Sequence, residues 1–194
     1  MAIKVTDLRH VGPERLGRAI QQLIERQSAG PSSRHRLPGT DQLRAGAEAT
    51  RGGADDQSAR TFQSILELGY LVASADGFAD EERRALAAML EQATGSAVNR
   101  EELELHFKDL DDAVAMLGRR ERLRRAAADF DDALGRTHAI SFTALIAVAD
   151  GELGQPEIQA LTELGNCFEL PVTEVLEIVE GVAREVERAV EAEG

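Results

Sequence analysis

Two aspartates, each followed by glycine and then by an acidic stretch, are the residues of this chain best suited to chemistry. Asp76 closes the run Leu71-Val72-Ala73-Ser74-Ala75-Asp76-Gly77 and is followed by Asp80, Glu81 and Glu82. Asp150 closes Leu145-Ile146-Ala147-Val148-Ala149-Asp150-Gly151 and is followed by Glu157. Each copy has the pattern of an apolar helix end, a glycine stop and an acidic opening to a second helix. Pairing the two copies would bury the apolar helices against each other and bring both corners to one end of a bundle. Asp76, Glu81 or Glu82, Asp150 and Glu157 would then converge. Several carboxylates cannot all stay ionised at short range without a counter-charge. A divalent cation with oxygen ligands (calcium, manganese or magnesium) supplies one, so these residues are the candidate metal ligands.

A purely structural role accounts for the same residues. Asp before Gly is a common turn pair whose side chain bonds its own backbone. Acidic residues in a helix's first turn are favoured by the helix dipole with or without a metal. The spacing excludes an EF-hand, because the twelfth position from Asp76 is Ala87 and from Asp150 is Leu161, where a bidentate Glu is required. There is no P-loop, GxGxxG, HExxH or G-x-S-x-G motif. His10, His35, His106 and His138 are scattered, and Cys167 has no partner base. No catalytic residue is identified, and a non-enzymatic protein is expected. A metal-dependent hydrolase is the least favoured alternative.

The remaining sequence must position these corners. Hydrophobic residues make up 43% of the 194 residues, but aromatics only 4%, so Ala, Leu, Val and Ile must build the core. That composition, without strand-type alternation after residue 60, predicts an all-α fold. The net charge of −13 is uneven. Residues 1–60 carry ten Lys/Arg against seven Asp/Glu, and residues 61–194 carry twelve against twenty-eight. So acidic a domain repels phosphate backbones and excludes nucleic acid as its partner, while attracting divalent cations or basic protein surfaces. No apolar run approaches the ~18 residues that span a bilayer. The first residues lack a signal-peptide core, so a soluble cytoplasmic protein is expected, with membrane association only through a partner.

Three segments follow. Residues 1–27 hold an amphipathic helix opened by Pro13, with Leu16, Ala19, Ile20, Leu23 and Ile24 on one face. That face must dock on the main domain or on another protein. Residues 28–59 are rich in Ser, Gly, Pro and Arg and are expected to form a flexible linker, with a weak helix signal near Thr40–Ala49. Residues 60–194 form the helical domain.

Within it, helices are expected over 60–75, from Asp80 as N-cap to Thr94, as two short pieces over 99–117 with Asn99 as cap, and from Arg119 to Leu134. A central helix over 138–149, capped by Thr137, a helix after Pro156 and a final one from Thr173 complete the set. The block Arg119-Arg120-Glu121-Arg122-Leu123-Arg124-Arg125, with Glu121 inside it and Asp129, Asp131 and Asp132 after it, is expected to pair within the molecule or to form a solvated face. Cys167 is expected to be buried.

The doubled corner, with Glu81-Glu82 after the first and Glu157 after the second, resembles the tellurite-resistance protein TerB family, whose relatives include the N-terminal domain of certain membrane-anchored J-domain co-chaperones. The resemblance covers about residues 60–190. It implies one bundle of about seven helices and an acidic site suited to divalent cations. By motif position, Asp76 and Asp150 match the corner aspartates, and Glu82 (or Glu81) and Glu157 the acidic positions after them. The family implies a metal-binding or scaffolding part of a stress-response system at or near the inner membrane, and not an enzyme; another protein is the expected partner. The second copy departs from the first, being one residue longer before its glutamate and carrying Pro156 there. There is no His-Pro-Asp tripeptide, so J-domain activity is absent.

Overall fold

The structure, a computed structural model, describes residues 11–29, 37–52, 56–149 and 153–193. Among these residues there are nine helices and no strand: α1 (Pro13–Ala29), α2 (Thr40–Gly52), α3 (Asp56–Ala73), α4 (Asp80–Ala93), α5 (Arg100–Leu117), α6 (Arg119–Ala127), α7 (Ala133–Ala149), α8 (Gln155–Cys167) and α9 (Val172–Ala192). None of them is long and apolar enough to cross a membrane. The seven helices α3–α9 form the bundle that the sequence predicts.

The centre is α7. Every side chain from His138 to Ala149 is buried, because the helix is apolar on all sides and has neighbours all round. It packs on α3, α8 and α9. The approach of α3 depends on Gly69, where an added Cβ would lie 2.2 Å from Ile146 Cδ1. The two repeated hairpins, α3–α4 and α7–α8, therefore meet through their first helices.

The apolar face of α1 is satisfied within the molecule. Leu16, Ala19, Ile20, Leu23 and Ile24 are all buried, with α1 lying against α4 and α9. Burial of large aliphatic side chains is worth about 1.5–3 kcal/mol each, so this face is not available to another protein. The stretch expected to be a linker contains α2, which packs on α3 and buries Leu37, Leu43 and Ala47. Leu43 and Ala47, one turn apart, with Leu37 buried just ahead of the helix, suffice where a neighbour waits, which composition alone does not reveal.

Several boundaries differ from the expectation. Residues 100–117 form one helix rather than two, since no Gly or Pro interrupts them before Gly118, where φ is +80°. Asn99 caps it as expected, its side chain accepting the Glu102 N–H at 2.8 Å. The helix begun at Arg119 stops at Ala127 instead of reaching Leu134, because Phe130 turns into the core. Asp132, not Thr137, caps α7: its Oδ1 accepts the Gly135 N–H at 2.8 Å. Thr137 lies inside the helix and donates to the Ala133 carbonyl. Cys167 is exposed rather than buried, on the outward side of the last turn of α8.

Candidate functional site

The first corner is shaped by the end of α3. The Gly77 N–H donates to the Ser74 carbonyl at 3.1 Å with φ at +110°, a conformation that favours glycine. Arg119, the first residue of α6, reaches under this corner. Its Nη1 donates to the Leu71 carbonyl and to Ser74 Oγ (2.9 Å), and its Nη2 to the Ser74 carbonyl (2.6 Å). A guanidinium thus caps the carbonyl end of α3, where a cation is favoured. Asp76 is exposed just beyond it.

After each corner comes a glutamate at the third position of the next helix. Ala79 is the N-cap of α4, so Glu82 is third; Gly154 is the N-cap of α8, so Glu157 is third. The extra residue of the second copy is absorbed before the cap, and Pro156 fits the first turn of α8. The two glutamates are therefore equivalent in local position. They differ in surroundings. Glu82 is exposed, and its Oε2 accepts the Ala79 N–H at 2.7 Å, the reach-back half of a capping box. Asp80, expected to cap α4, is instead its first residue and pairs with Arg83 at 2.7 Å.

Glu157 is only 3% exposed. Its carboxyl turns back over the helix start, where a Cβ on Gly154 would lie 2.8 Å from Oε2. The bare glycine leaves room for the carboxyl in this position. Among the described residues Oε2 is buried without a hydrogen-bond partner. Burial pushes the Glu157 pKa above its ordinary value; the Asp76 carboxyl beside it raises it further, while the Glu157 and Gly154 N–H groups act against this. Two carboxylates offer acceptors only, so their contact has no donor unless one of them is protonated.

The structure thus brings Asp76 and Glu157 together from the two repeats. Glu81 is exposed and Glu82 is engaged as a cap. Asp150 lies outside the described residues. Among the described residues no group of three or more His, Cys, Asp or Glu converges.

Around this pair is a polar network that spacing alone could not reveal. Tyr70 donates to Asp111 at 2.7 Å, and Arg83 donates to the other oxygen of Asp111 at 2.6 Å. Burial pushes the Tyr70 hydroxyl up to about 12. Arg119 sits in the field of Asp76, Asp111 and Glu157. Further along α6, Arg122 pairs with the buried Glu67 at 2.7 Å, and Glu121 binds Arg124 and Arg125. Three arginines of the block, Arg122, Arg124 and Arg125, are paired with acids within the molecule, while Arg120 is exposed. The specific role of Arg119 had no signal beyond membership of that block.

A family model described as "Tellurite resistance protein TerB" matches residues 62–180, more than half of the chain. The chain belongs to the TerB family. The match takes in both corners, all of α4–α8, the larger part of α3 and the first part of α9, so Asp76, Glu82 and Glu157 lie within the TerB domain, whereas α1 and α2 precede it. The chain is accordingly a module of the tellurite-resistance type. No curated protein and no solved structure shows a significant match.

Proposed function

We propose that this TerB domain binds a divalent cation between its two corners and serves, without catalysis of its own, as a module that engages another protein. The supporting observation is the Glu157 carboxyl: buried, with one oxygen unpartnered, and set against a second carboxylate. Such a group is costly to bury ionised, and a cation bound to it removes the cost.

The local charge supports the same reading. Arg83 is spent on Asp80 and Asp111. Asp76 and Glu157 both lie in the field of Arg119, so two carboxylates there face one guanidinium and leave a negative surplus for a cation to balance. The donors are oxygens without His or Cys, which suits calcium, magnesium or manganese rather than zinc or copper. Asp76 and Glu157 would hold the ion, with Asp150 as the further carboxylate supplied by the repeat. Calorimetric titration with each ion at low salt should give saturable heat with at least one; no heat at millimolar ion would overturn the metal assignment.

A second reading, an interaction module without metal, draws on Glu82, whose carboxylate is already engaged as a helix cap. On that reading, Asp76→Asn leaves capture of the partner and its sensitivity to chelator unchanged.

A further inference from the structure

A second feature of the molecule lies away from the corners and is not used by the proposed metal role. Between α6, the turn into α7 and the end of α8 is a cleft of about 560 Å³. Ligand sites commonly span about 300–1,000 Å³. Its floor is apolar, with Leu123 and Ala127 beside Phe130 and Phe168, whose rings meet edge to face at 5.9 Å. Its rim carries three guanidinium groups, those of Arg120, Arg124 and Arg136.

The positive charge of this rim is only partly spent inside the fold. Arg136 donates to the Phe130 carbonyl at 3.0 Å and the Asp131 carbonyl at 3.4 Å, neutral acceptors that leave its charge uncompensated. Arg124 shares the Glu121 carboxylate with Arg125, both at 2.8 Å, so that trio keeps one positive charge. Arg120 is exposed and has no hydrogen bond or ion pair among the described residues. The side chains of Asp131 and Glu163 also line the cleft. Four guanidiniums against three carboxylates leave a local positive surplus in a chain whose net charge is −13.

We propose that this cleft binds a small organic anion, with an apolar body on the phenylalanine floor and an oxyanion head held by Arg120 and its neighbours. Guanidinium groups take the oxygens of carboxylate, phosphate or sulfonate in pairs, a geometry that lysine does not offer. A volume of about 560 Å³ is the size of a small-molecule site, which suits a small molecule over an acidic peptide. Cys167 stands at the same cleft, beside Arg120 and Arg124. It is a bystander there: burial and Glu163 push its thiol up from 9.0, so it is protonated at neutral pH. As the only cysteine in the chain it is a built-in reporter.

The test uses the full chain and 8-anilinonaphthalene-1-sulfonate, which has an apolar body and a sulfonate head. Fluorescence titration should show one saturable site. Arg120→Ala, which removes no hydrogen bond or ion pair among the described residues, should weaken it about tenfold with the melting temperature nearly unchanged. Saturating probe should slow alkylation of Cys167 by N-ethylmaleimide about tenfold or more, and Asp76→Asn should alter neither result. Equal affinity in Arg120→Ala, or an unchanged alkylation rate, would overturn the assignment. Stronger protection of Cys167 by an oligoglutamate peptide than by the probe would overturn the small-molecule assignment in favour of an acidic segment.

Discussion

The carboxyl of Glu157 lies against that of Asp76, although the two belong to different repeats and different hairpins. One is buried and the other exposed. This contact joins the two halves of the internal duplication, and the predictions start from it.

Glu157 should make metal-free stability depend on pH in a defined direction. Its folded-state pKa is raised by burial and by Asp76. A carboxyl with a raised folded-state value holds its proton more tightly folded than unfolded. Its stabilising contribution is complete below the ordinary value of 4.5 and is lost as pH rises through the folded-state value. In chelator at pH 7, Glu157→Gln should therefore be more stable than wild type by about 1 kcal/mol, or about 2–4 °C in Tm. The difference should vanish near pH 4. Thermal melts across that range check it; a Gln variant less stable at pH 7 would contradict it.

Arg119 should join stability and cation affinity with opposite signs. It caps the carbonyl end of α3 through Leu71 and Ser74 while lying in the field of the two corner carboxylates. Arg119→Gln should cost about 2 kcal/mol in urea unfolding, since buried carbonyls lose a charged donor. The same variant should bind manganese more tightly, because one competing positive charge is gone. Arg119→Lys should restore the affinity of the wild type but not its full stability, as an ammonium cannot reproduce the fork.

The contact of α3 with α7 should be intolerant of a single added methyl. A Cβ at Gly69 would stand 2.2 Å from Ile146 Cδ1. Gly69→Ala should destabilise by about 1–3 kcal/mol through overpacking. Ile146→Val, which deletes that Cδ1, should recover part of the loss in the double variant. Additive losses would mean that the two residues are not in contact.

Much of this fold was legible from residue spacing. The apolar run of α7, the 3.6-residue period of α9, the Asn99 cap and Gly77 after the first corner all act locally, so their signals are local too. What escaped were the elements decided by distant neighbours. The short apolar face of α2 is weak until α3 lies beside it. Thr137 has the chemistry of a cap, but Asp132 stands where the chain turns. Cys167 looks apolar in sequence because Phe168 follows it, yet the two side chains fall on opposite sides of the last turn. The corner carboxylates were legible as a repeated set, and the pairing of Asp76 with Glu157 belongs to that set. The placing of Arg119 beneath them depends on how α6 crosses α3, which no spacing encodes.

A double-mutant cycle in manganese affinity tests the shared site most directly. Asp76→Asn and Glu157→Gln should each weaken binding by more than about tenfold, and the double variant should be no more than about threefold worse than the weaker single. Single variants that bind within about twofold of wild type, or a double variant equal to the product of the two losses, would show that these carboxylates do not hold one ion together.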